Sequence, residues 1–333
     1  MALLKSSSRL LRLLAALVVA GFAQQSVAAG GTYKQHPTSM NALPTGGKVT
    51  AGNATINQSK NVVNVKQTSD RAVVTWDTFN VGKDATVNFN QPDSNSTTLN
   101  YVNGAGKSVI DGTINAKGQV ILVNSNGVVF GKNAEVNVGG MVATTMDTSA
   151  EEFMQAKNAQ TYKGGTTGKV INKGRINVMS PDGYVALMAP EVRNEGVVMA
   201  TLSGKNAIAL VAGQKVTLTF NGSQLANVSV DASVLNALIE NKRLIKTEGG
   251  QVVIAANSVT ELMGSTIKNT GVVSASSIST SGGKISLTAE TITQGGTVSA
   301  NGGLEKRSSA ASEPVVTEAT ANGGEITLQA KQV

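Results

Sequence analysis

The sequence predicts an all-β protein in which short strands stack as the coils of a β-solenoid, and three observations support this prediction. Runs of Val, Ile, Leu and Ala alternate with corners of Gly and Asn, which is typical of short strands joined by tight turns. The same phrases return with a period of about 20–25 residues, as expected when each coil repeats the one before it. The 333 residues include 36 Gly and are 41% hydrophobic, which supplies corner residues and excludes a wholly disordered chain.

Two recurring phrases define the coils. Equivalent side chains of successive coils would stack into aliphatic ladders inside the solenoid and into Asn or Thr ladders outside it. A β-sandwich is also rich in short strands, but it does not require the same phrase to return. The first phrase reads DGYVALMAP (182–190), GGQVVIAAN (249–257), GGKISLTAE (282–290) and GGEITLQA (323–330). The second reads INKGRINVM (171–179), VRNEGVVMA (192–200), IKNTGVVSA (267–275) and ITQGGTVSA (292–300).

The N-terminal residues 1–29 have the pattern of a signal peptide. Basic residues precede a short apolar core over 10–23, and small residues follow it. A membrane anchor would need about 20 apolar residues, which this segment lacks. We therefore expect cleavage after Ala28 or Ala29 and passage of the mature chain into the periplasm.

The front of the mature chain carries the bulkiest side chains. Aromatic residues make up only 3% of the sequence, yet RAVVTWDTFNVG (71–82) contains both the one tryptophan, Trp76, and Phe79. We expect this stretch to plug the end of the solenoid, with Trp76 and Phe79 as cap or core residues.

Three segments interrupt the repeats. Residues 147–166 are polar and predict an excursion with a short helix that begins after Asp147 or Ser149. Residues 231–240 have apolar side chains at helical spacing, although a segment this short could equally be an irregular coil. Residues 301–322 predict a polar excursion between two coils.

Composition argues against several kinds of site. The chain has no Cys, and its one histidine, His36, lies close to the expected mature N-terminus, so that thiol catalysis, a catalytic triad and a metal site are all disfavoured. We expect no cofactor, no metal and no enzyme activity. The net charge of +7 falls to +4 when the three basic signal-peptide residues are removed, and the charged residues (15%) are scattered, which argues against nucleic-acid binding.

The segment GQVILVNSNGVVFG (118–131) contains an unusual corner. Two apolar runs flank Asn124-Ser125-Asn126-Gly127, although one Asn-Gly pair suffices for a left-handed turn. The two amide side chains can bond to backbone groups that the turn leaves open. Alternatively, they are available to a partner.

Four blocks of the sequence, in this order, resemble the filamentous haemagglutinin N-terminal family, the secretion domain of two-partner secretion exoproteins. The family's Asn-Pro-Asn-Gly-Ile motif is matched by Asn124, Ser125, Asn126, Gly127 and Val128, with Ser in place of Pro and Val in place of Ile. A second family motif, Asn-Pro-Asn-Leu, has no match, which indicates a different subgroup. The four blocks are LPTGGKVTAGNATI (43–56), RAVVTWDTFNVGKDATVNFNQP (71–92), INAKGQVILVNSNGVVFGKNAEVNVGGMVATTMD (114–147) and GYVALMAPEVRNEGVV (183–198).

The resemblance implies a right-handed parallel β-helix (a solenoid) with an N-terminal cap and extra-helical excursions of β or irregular structure. It implies a secretion domain over 30–220 and the start of a β-helical repeat region over 221–333. It also implies an adhesin-like exoprotein that an outer-membrane β-barrel transporter recognises through its periplasmic domains and exports to the cell surface. A host-cell or polysaccharide receptor is a further expected partner. The family links the motif to secretion, either by contact with the transporter or by maintaining the domain.

Two other functions are compatible with a β-helix. A polysaccharide-cleaving enzyme would need a groove of Asp, Lys and Arg with aromatic sugar platforms and often Ca²⁺, which the low aromatic content and scattered charges disfavour. Alternatively, the chain is the truncated export module of a larger cytolysin or toxin-delivery protein. Because GGEITLQA stands close to the end of the sequence, we expect the coils after about residue 250 to be less protected and to associate end to end.

Overall fold

The computed structural model describes residues 38–155, 158–165, 167–202, 204–231, 237–257, 264–277, 282–302 and 323–330. The expected signal peptide, with Ala28 and Ala29, lies outside these ranges, as does most of the excursion expected over 301–322. Within the described ranges the chain forms short strands and one short helix, and no helix there has the length and apolar character needed to cross a bilayer.

The strands follow one another along the chain at short intervals. The first twelve are β1 (Lys48–Ala51), β2 (Ala54–Ser59), β3 (Val62–Gln67), β4 (Arg71–Trp76), β5 (Thr86–Asn90), β6 (Thr97–Val102), β7 (Ser108–Ile110), β8 (Thr113–Ala116), β9 (Gln119–Val123), β10 (Val128–Phe130), β11 (Glu135–Val138) and β12 (Gly140–Thr144). The middle elements are β13 (Asp147–Thr148), α1 (Ala150–Met154), β14 (Ala159–Lys163), β15 (Lys169–Asn172), β16 (Arg175–Val178), β17 (Tyr184–Met188), β18 (Glu191–Asn194), β19 (Val197–Ala200), β20 (Ala207–Ala212), β21 (Lys215–Asn221) and β22 (Gln224–Asp231). The last are β23 (Leu238–Asn241), β24 (Leu244–Thr247), β25 (Gln251–Ala256), β26 (Thr266–Asn269), β27 (Val272–Ser274), β28 (Lys284–Thr288), β29 (Thr291–Gln294), β30 (Thr297–Ser299) and β31 (Glu325–Gln329).

Three sheets form the sides of a right-handed parallel β-helix, which confirms the predicted fold class. From β7 onward, the strands of the coils visit the three sheets in turn, and each pairs in parallel with its equivalents one coil away. We call β1-β4-β6-β9-β12-β17-β20-β25-β28-β31 the covered sheet, β2-β3-β5-β8-β11-β16-β19-β24-β27-β30 the open sheet, and β7-β10-β15-β18-β23-β26-β29 the short sheet. A fourth, extra-helical sheet has the order β13-β14-β21-β22 and lies outside the coils.

The coil length agrees with the predicted repeat. Stacked asparagines on adjacent coils are 22 residues apart for Asn115 and Asn137, and again for Asn172 and Asn194. The spacing rises to 47 between Asn194 and Asn241, because β21 and β22 leave the helix between those two coils. Parallel pairing of β20 with β25 continues across residue 220, so the boundary expected there stays a prediction.

The interior of the helix is filled by aliphatic ladders. One ladder in the covered sheet joins side chains that are at most 1% exposed and that pair coil by coil. Each such side chain stabilises the fold by roughly 1.5–3 kcal/mol through burial. Its members are Val120, Met141, Val185, Ile208, Val252 and Ile285.

A ladder of buried amides lines the end of the short sheet. Asn172, Asn194, Asn241 and Asn269 are at most 1% exposed, and each Nδ2 donates to the next coil's amide oxygen over 2.8–3.0 Å, ending on Gln294. The sequence predicted asparagine ladders on the outside only, which is wrong for this one. A second ladder, from Asn64 through Asn177, does run along the half-buried outer side of the open sheet.

Antiparallel strands close the N-terminal end of the helix. β1 pairs antiparallel with β4, and β2 pairs antiparallel with β3, so that the first parallel coil is covered by strands running the other way. This arrangement is the predicted cap. The cap strands form hydrogen bonds with backbone N–H and C=O groups that an open coil would leave unpaired.

The excursion over 147–166 contains the predicted helix. Ser149 is the N-cap of α1, and its hydroxyl accepts a hydrogen bond from the Glu152 N–H over 3.1 Å. The helix that was one alternative for 231–240 is not formed at the end of that segment. Leu238 and Ile239 lie instead in β23, which pairs in parallel with β18 and β26. Residues 232–236 of that segment lie outside the described ranges.

The extra-helical sheet packs on the outer side of the covered sheet and forms a second hydrophobic core. This core includes outward-facing covered-sheet residues such as Ile121 and Val142, together with Tyr162, Val216 and Leu218 of the extra-helical sheet. The strands β9, β17 and β20 are therefore buried on both sides, which explains why they carry continuous apolar runs, such as 120–123 in β9, rather than alternating ones.

A carboxylate on the short sheet gives the fold a small pH dependence. Glu191 lies 2.5 Å from both Lys169 and Arg193. Burial raises the pKa of Glu191, but hydrogen bonds from these two cations outweigh burial and hold that pKa below its ordinary value of 4.5. The resulting stabilisation is therefore present above about pH 4.5 and is lost as the pH falls through the folded-state pKa.

We expect Glu191→Gln to lower the free energy of unfolding by about 0.5–1 kcal/mol at pH 7. The gap between variant and wild type should narrow as the pH falls from 5 to 3, which urea denaturation at a series of pH values measures. Glu135→Gln is the matched control, because its carboxylate is 43% exposed and lies 3.9 Å from Arg175. A gap for Glu191→Gln that widens in acid would contradict the assignment.

Candidate functional site

The corner between β9 and β10 carries the asparagine motif of residues 124–128. The chain leaves the covered sheet at Val123, turns over 124–127, and enters the short sheet at Val128. Gly127 has φ +117°, and a Cβ there would lie 2.9 Å from the Lys169 carbonyl oxygen on the next coil. Glycine is therefore required both for the turn and for the close approach of the two coils.

Asn124 is fully buried and connects three coils. Its Nδ2 donates to the Gly106 carbonyl and to Ser108 Oγ on the preceding coil, each over 3.0 Å. Its backbone N–H donates to the Thr144 carbonyl on the following coil, also over 3.0 Å. These bonds are buried and internal, so Asn124 ties the corner to both adjacent coils.

Asn126 and Ser125 form the exposed part of the corner. The Asn126 backbone N–H donates to Asn124 Oδ1 over 3.0 Å, and its Nδ2 donates to the Gly104 carbonyl over 2.9 Å. These bonds fix the Asn126 side chain against the preceding coil while leaving the residue accessible. The corner therefore presents a preorganised polar surface.

The remaining motif residue, Val128, belongs to the core. It is 0% exposed and pairs with Ser108 and Val170 on the two adjacent coils. The receiving groups of the motif, Gly104, Gly106 and Ser108, were not predicted from the sequence. The turn-forming segment NGAGK at 103–107 marks a corner there, but nothing local indicates that this corner receives the amides of Asn124 and Asn126.

Trp76 and Phe79 lie inside the helix, near its capped end. They are 2% and 1% exposed, and their rings meet edge to face with centroids 5.5 Å apart. Trp76 Nε1 donates to Asn100 Oδ1 over 3.0 Å. A Cβ on Gly47 would lie 2.4 Å from Trp76 Cζ3, so the glycine makes room for the indole ring. These buried side chains are separate from the exposed corner at 125–126.

The chemistry of the corner suits recognition. It offers amide, hydroxyl and main-chain groups, which donate and accept hydrogen bonds but do not supply a general base. Among the described residues no group of three or more His, Cys, Asp or Glu is placed to hold a metal ion.

Comparisons with known proteins identify relatives over most of the chain. A model of the family described as the TPS secretion domain matches residues 40–300. A heme/hemopexin-binding protein of Haemophilus influenzae (strain ATCC 51907 / DSM 11121 / KW20 / Rd) is 31% identical over 273 residues, which cover 79% of this chain and 28% of that protein. A second heme/hemopexin-binding protein of Haemophilus influenzae is 28% identical over 283 residues, covering 79% of this chain and 29% of that protein.

A solved structure shares the fold. The chain resembles the crystal structure of the HMW1 secretion domain from Haemophilus influenzae, with a TM-score of 0.63 and 25% identity over 87% of this chain and 82% of that one. The present chain therefore spans less than a third of the curated relatives, but most of the solved secretion domain.

Proposed function

The chain belongs to the TPS secretion domain family, and from this premise we propose that it directs export by binding the periplasmic domains of a cognate outer-membrane β-barrel transporter. Exoproteins of this family leave the cell through outer-membrane transporters. The single observation that carries the proposal is the family match over residues 40–300. Residues 1–29 would first deliver the chain to the periplasm as a signal peptide cleaved at Ala28 or Ala29.

We assign different roles to the two asparagines of the corner. Asn124 is buried and bonded within the domain, so it maintains the corner. Ser125 and Asn126 are exposed and held in one arrangement by Asn126's bonds to the preceding coil. A surface held in place before binding loses less conformational entropy on association, which supports the corner as a contact for the transporter.

The exported protein is proposed to act as an adhesin-like exoprotein at the cell surface. The relatives that are named for binding heme and hemopexin are more than three times as long as the matched part of this chain. We therefore assign residues 30–220 to secretion and 221–333 to the start of a β-helical repeat region, and place contact with a host-cell or polysaccharide receptor after export.

Direct binding to the transporter tests the role of the corner. We expect Asn126→Ala to weaken binding of the mature chain to the transporter's purified periplasmic domains about five- to tenfold, as for the loss of one or two hydrogen bonds at an interface. Isothermal titration calorimetry measures the affinity. Thermal melts of the free chain should show little change, because Asn126 is exposed.

Asn227→Ala is the matched control for this experiment. Asn227 is also an exposed asparagine, but it lies on β22 of the extra-helical sheet. We expect its affinity to equal that of the wild type. Equal affinity of Asn126→Ala and wild type would remove the corner from the binding surface.

A further inference from the structure

A cavity of about 450 Å³ lies between the covered sheet and the extra-helical sheet. Its size falls within the range of about 300–1,000 Å³ that is typical of small-molecule sites. Although aromatic residues are rare in this chain, four of them line this one cavity. They are Phe153, Tyr162, Tyr184 and Phe220.

The cavity contains buried polar groups with unused hydrogen-bonding capacity. Tyr162 is 0% exposed, and its hydroxyl has no hydrogen-bond partner among the described residues. The Tyr184 hydroxyl donates to Gln119 Oε1 over 3.0 Å. The Gln119 amide nitrogen has no hydrogen-bond partner among the described residues. A buried tyrosine hydroxyl ordinarily has a partner, so the Tyr162 hydroxyl indicates a place for a ligand group.

Arg71 adds a cation to the wall of the cavity. Its guanidinium lies 4.8 Å from the Phe153 ring centroid, and Nη1 donates to the Phe153 carbonyl over 2.7 Å. Burial lowers the pKa of Arg71 from its ordinary value. Within the described part of the chain no carboxylate oxygen lies within 4 Å of this guanidinium, so most of its five N–H donors are available.

The rim of the cavity is negatively charged, opposite to the Arg71 cation on its wall. Asp70 and Asp93 are exposed residues that line the opening. The two carboxylates outnumber the single Arg71 cation, which disfavours phosphate, sulfate or a uronic acid as the ligand. The buried Tyr162 and Gln119 groups disfavour a purely apolar ligand, because it would leave them unpaired.

We propose that this cavity binds a neutral sugar unit. Sugar hydroxyls both donate and accept hydrogen bonds, as the tyrosine, amide, guanidinium and carboxylate groups together require. The C–H face of a pyranose ring would lie against Phe220, which is half-buried and packs 5.2 Å from the Tyr184 ring. This site goes beyond export and does not depend on it, since binding is measured on the purified chain.

The test is a titration of the mature chain with galactose, N-acetylglucosamine, lactose and glucuronic acid. Saturation-transfer NMR and isothermal titration calorimetry follow binding. We expect saturable binding of at least one neutral probe and weaker binding of glucuronic acid. Tyr162→Phe should lower the neutral-sugar affinity about five- to tenfold. Its thermal melt should match the wild type, because the removed hydroxyl has no partner within the protein.

Tyr101→Phe is the matched control. The Tyr101 hydroxyl donates to the Thr148 carbonyl and Tyr101 does not line the cavity, so sugar affinity should be unchanged. If Tyr162→Phe does not fold, Phe220→Ala replaces it, with the same expected loss. The proposal is overturned by failure of every neutral probe to saturate, by tighter binding of glucuronic acid, or by wild-type affinity of the folded cavity variant.

Discussion

Replacing Asn124 by alanine is expected to lower the free energy of unfolding of the mature chain by about 2–3 kcal/mol, since four side-chain hydrogen bonds, each worth at least about 0.5 kcal/mol, disappear. The lost bonds are those from Nδ2 to Gly106 and Ser108 and the two that Oδ1 accepts from the Asn126 N–H and from Asn126 Nδ2. Ser108 is 0% exposed, so water cannot readily replace the amide as its partner. Urea denaturation followed by far-ultraviolet circular dichroism measures the change.

Asn126→Ala is the matched control for this prediction. It removes the same side chain two residues away, but at an exposed position, and we expect a loss of no more than about 1 kcal/mol. An Asn124→Ala variant with the wild-type denaturation midpoint would show that the buried amide does not maintain the corner. Equal losses for both variants would contradict the separate roles assigned to the two asparagines.

Much of the fold could be predicted because its signals are local and repeated. The phrase containing Val185 and Leu187 returns around Val252 and Ile254, and the structure stacks these phrases in the covered sheet. The Ser149 cap likewise predicts α1, since N-capping depends on residues within one turn of the helix. Such features require no knowledge of distant parts of the chain.

Extra-helical β structure was predicted from the family resemblance, but the position of the β21–β22 hairpin was not, although its signal is present in the sequence. β21 and β22 are joined by Gly222-Ser223, since Asn221 pairs with Gln224, and Gly222 has φ +63°, as a glycine at the first position of a two-residue hairpin loop permits. The hairpin belongs to neither recurring phrase, so the repeats do not predict it. Its consequence, the continuously apolar strands of the covered sheet, is visible in the sequence only as runs such as 120–123.

The environment of the corner could not be predicted from local sequence. Asn124 lies 16 residues from Ser108, and Asn126 lies 22 residues from Gly104. These contacts depend on the length of one complete coil, and a change of one residue in that coil would move the amides away from their partners. The sequence therefore predicts which residues form the corner, but not which of them is buried.

Loss of export in the absence of the transporter is the second large effect that we expect. The family match covers residues 40–300. In the proposed function, the folded corner provides the contact and the transporter provides the passage. Removing the transporter should therefore stop export without changing synthesis of the chain.

The most direct measurement is the amount of chain in the medium and on the cell surface, by quantitative immunoblotting, with and without the gene for the cognate transporter. Expression of the transporter from a plasmid is the control for the deletion. We expect the extracellular chain to fall to a small fraction of the wild-type amount in the deletion strain, with the remainder in the periplasm, and to recover on complementation, because the proposed function makes export depend on the transporter. Unchanged extracellular chain in the deletion strain would contradict the proposed function.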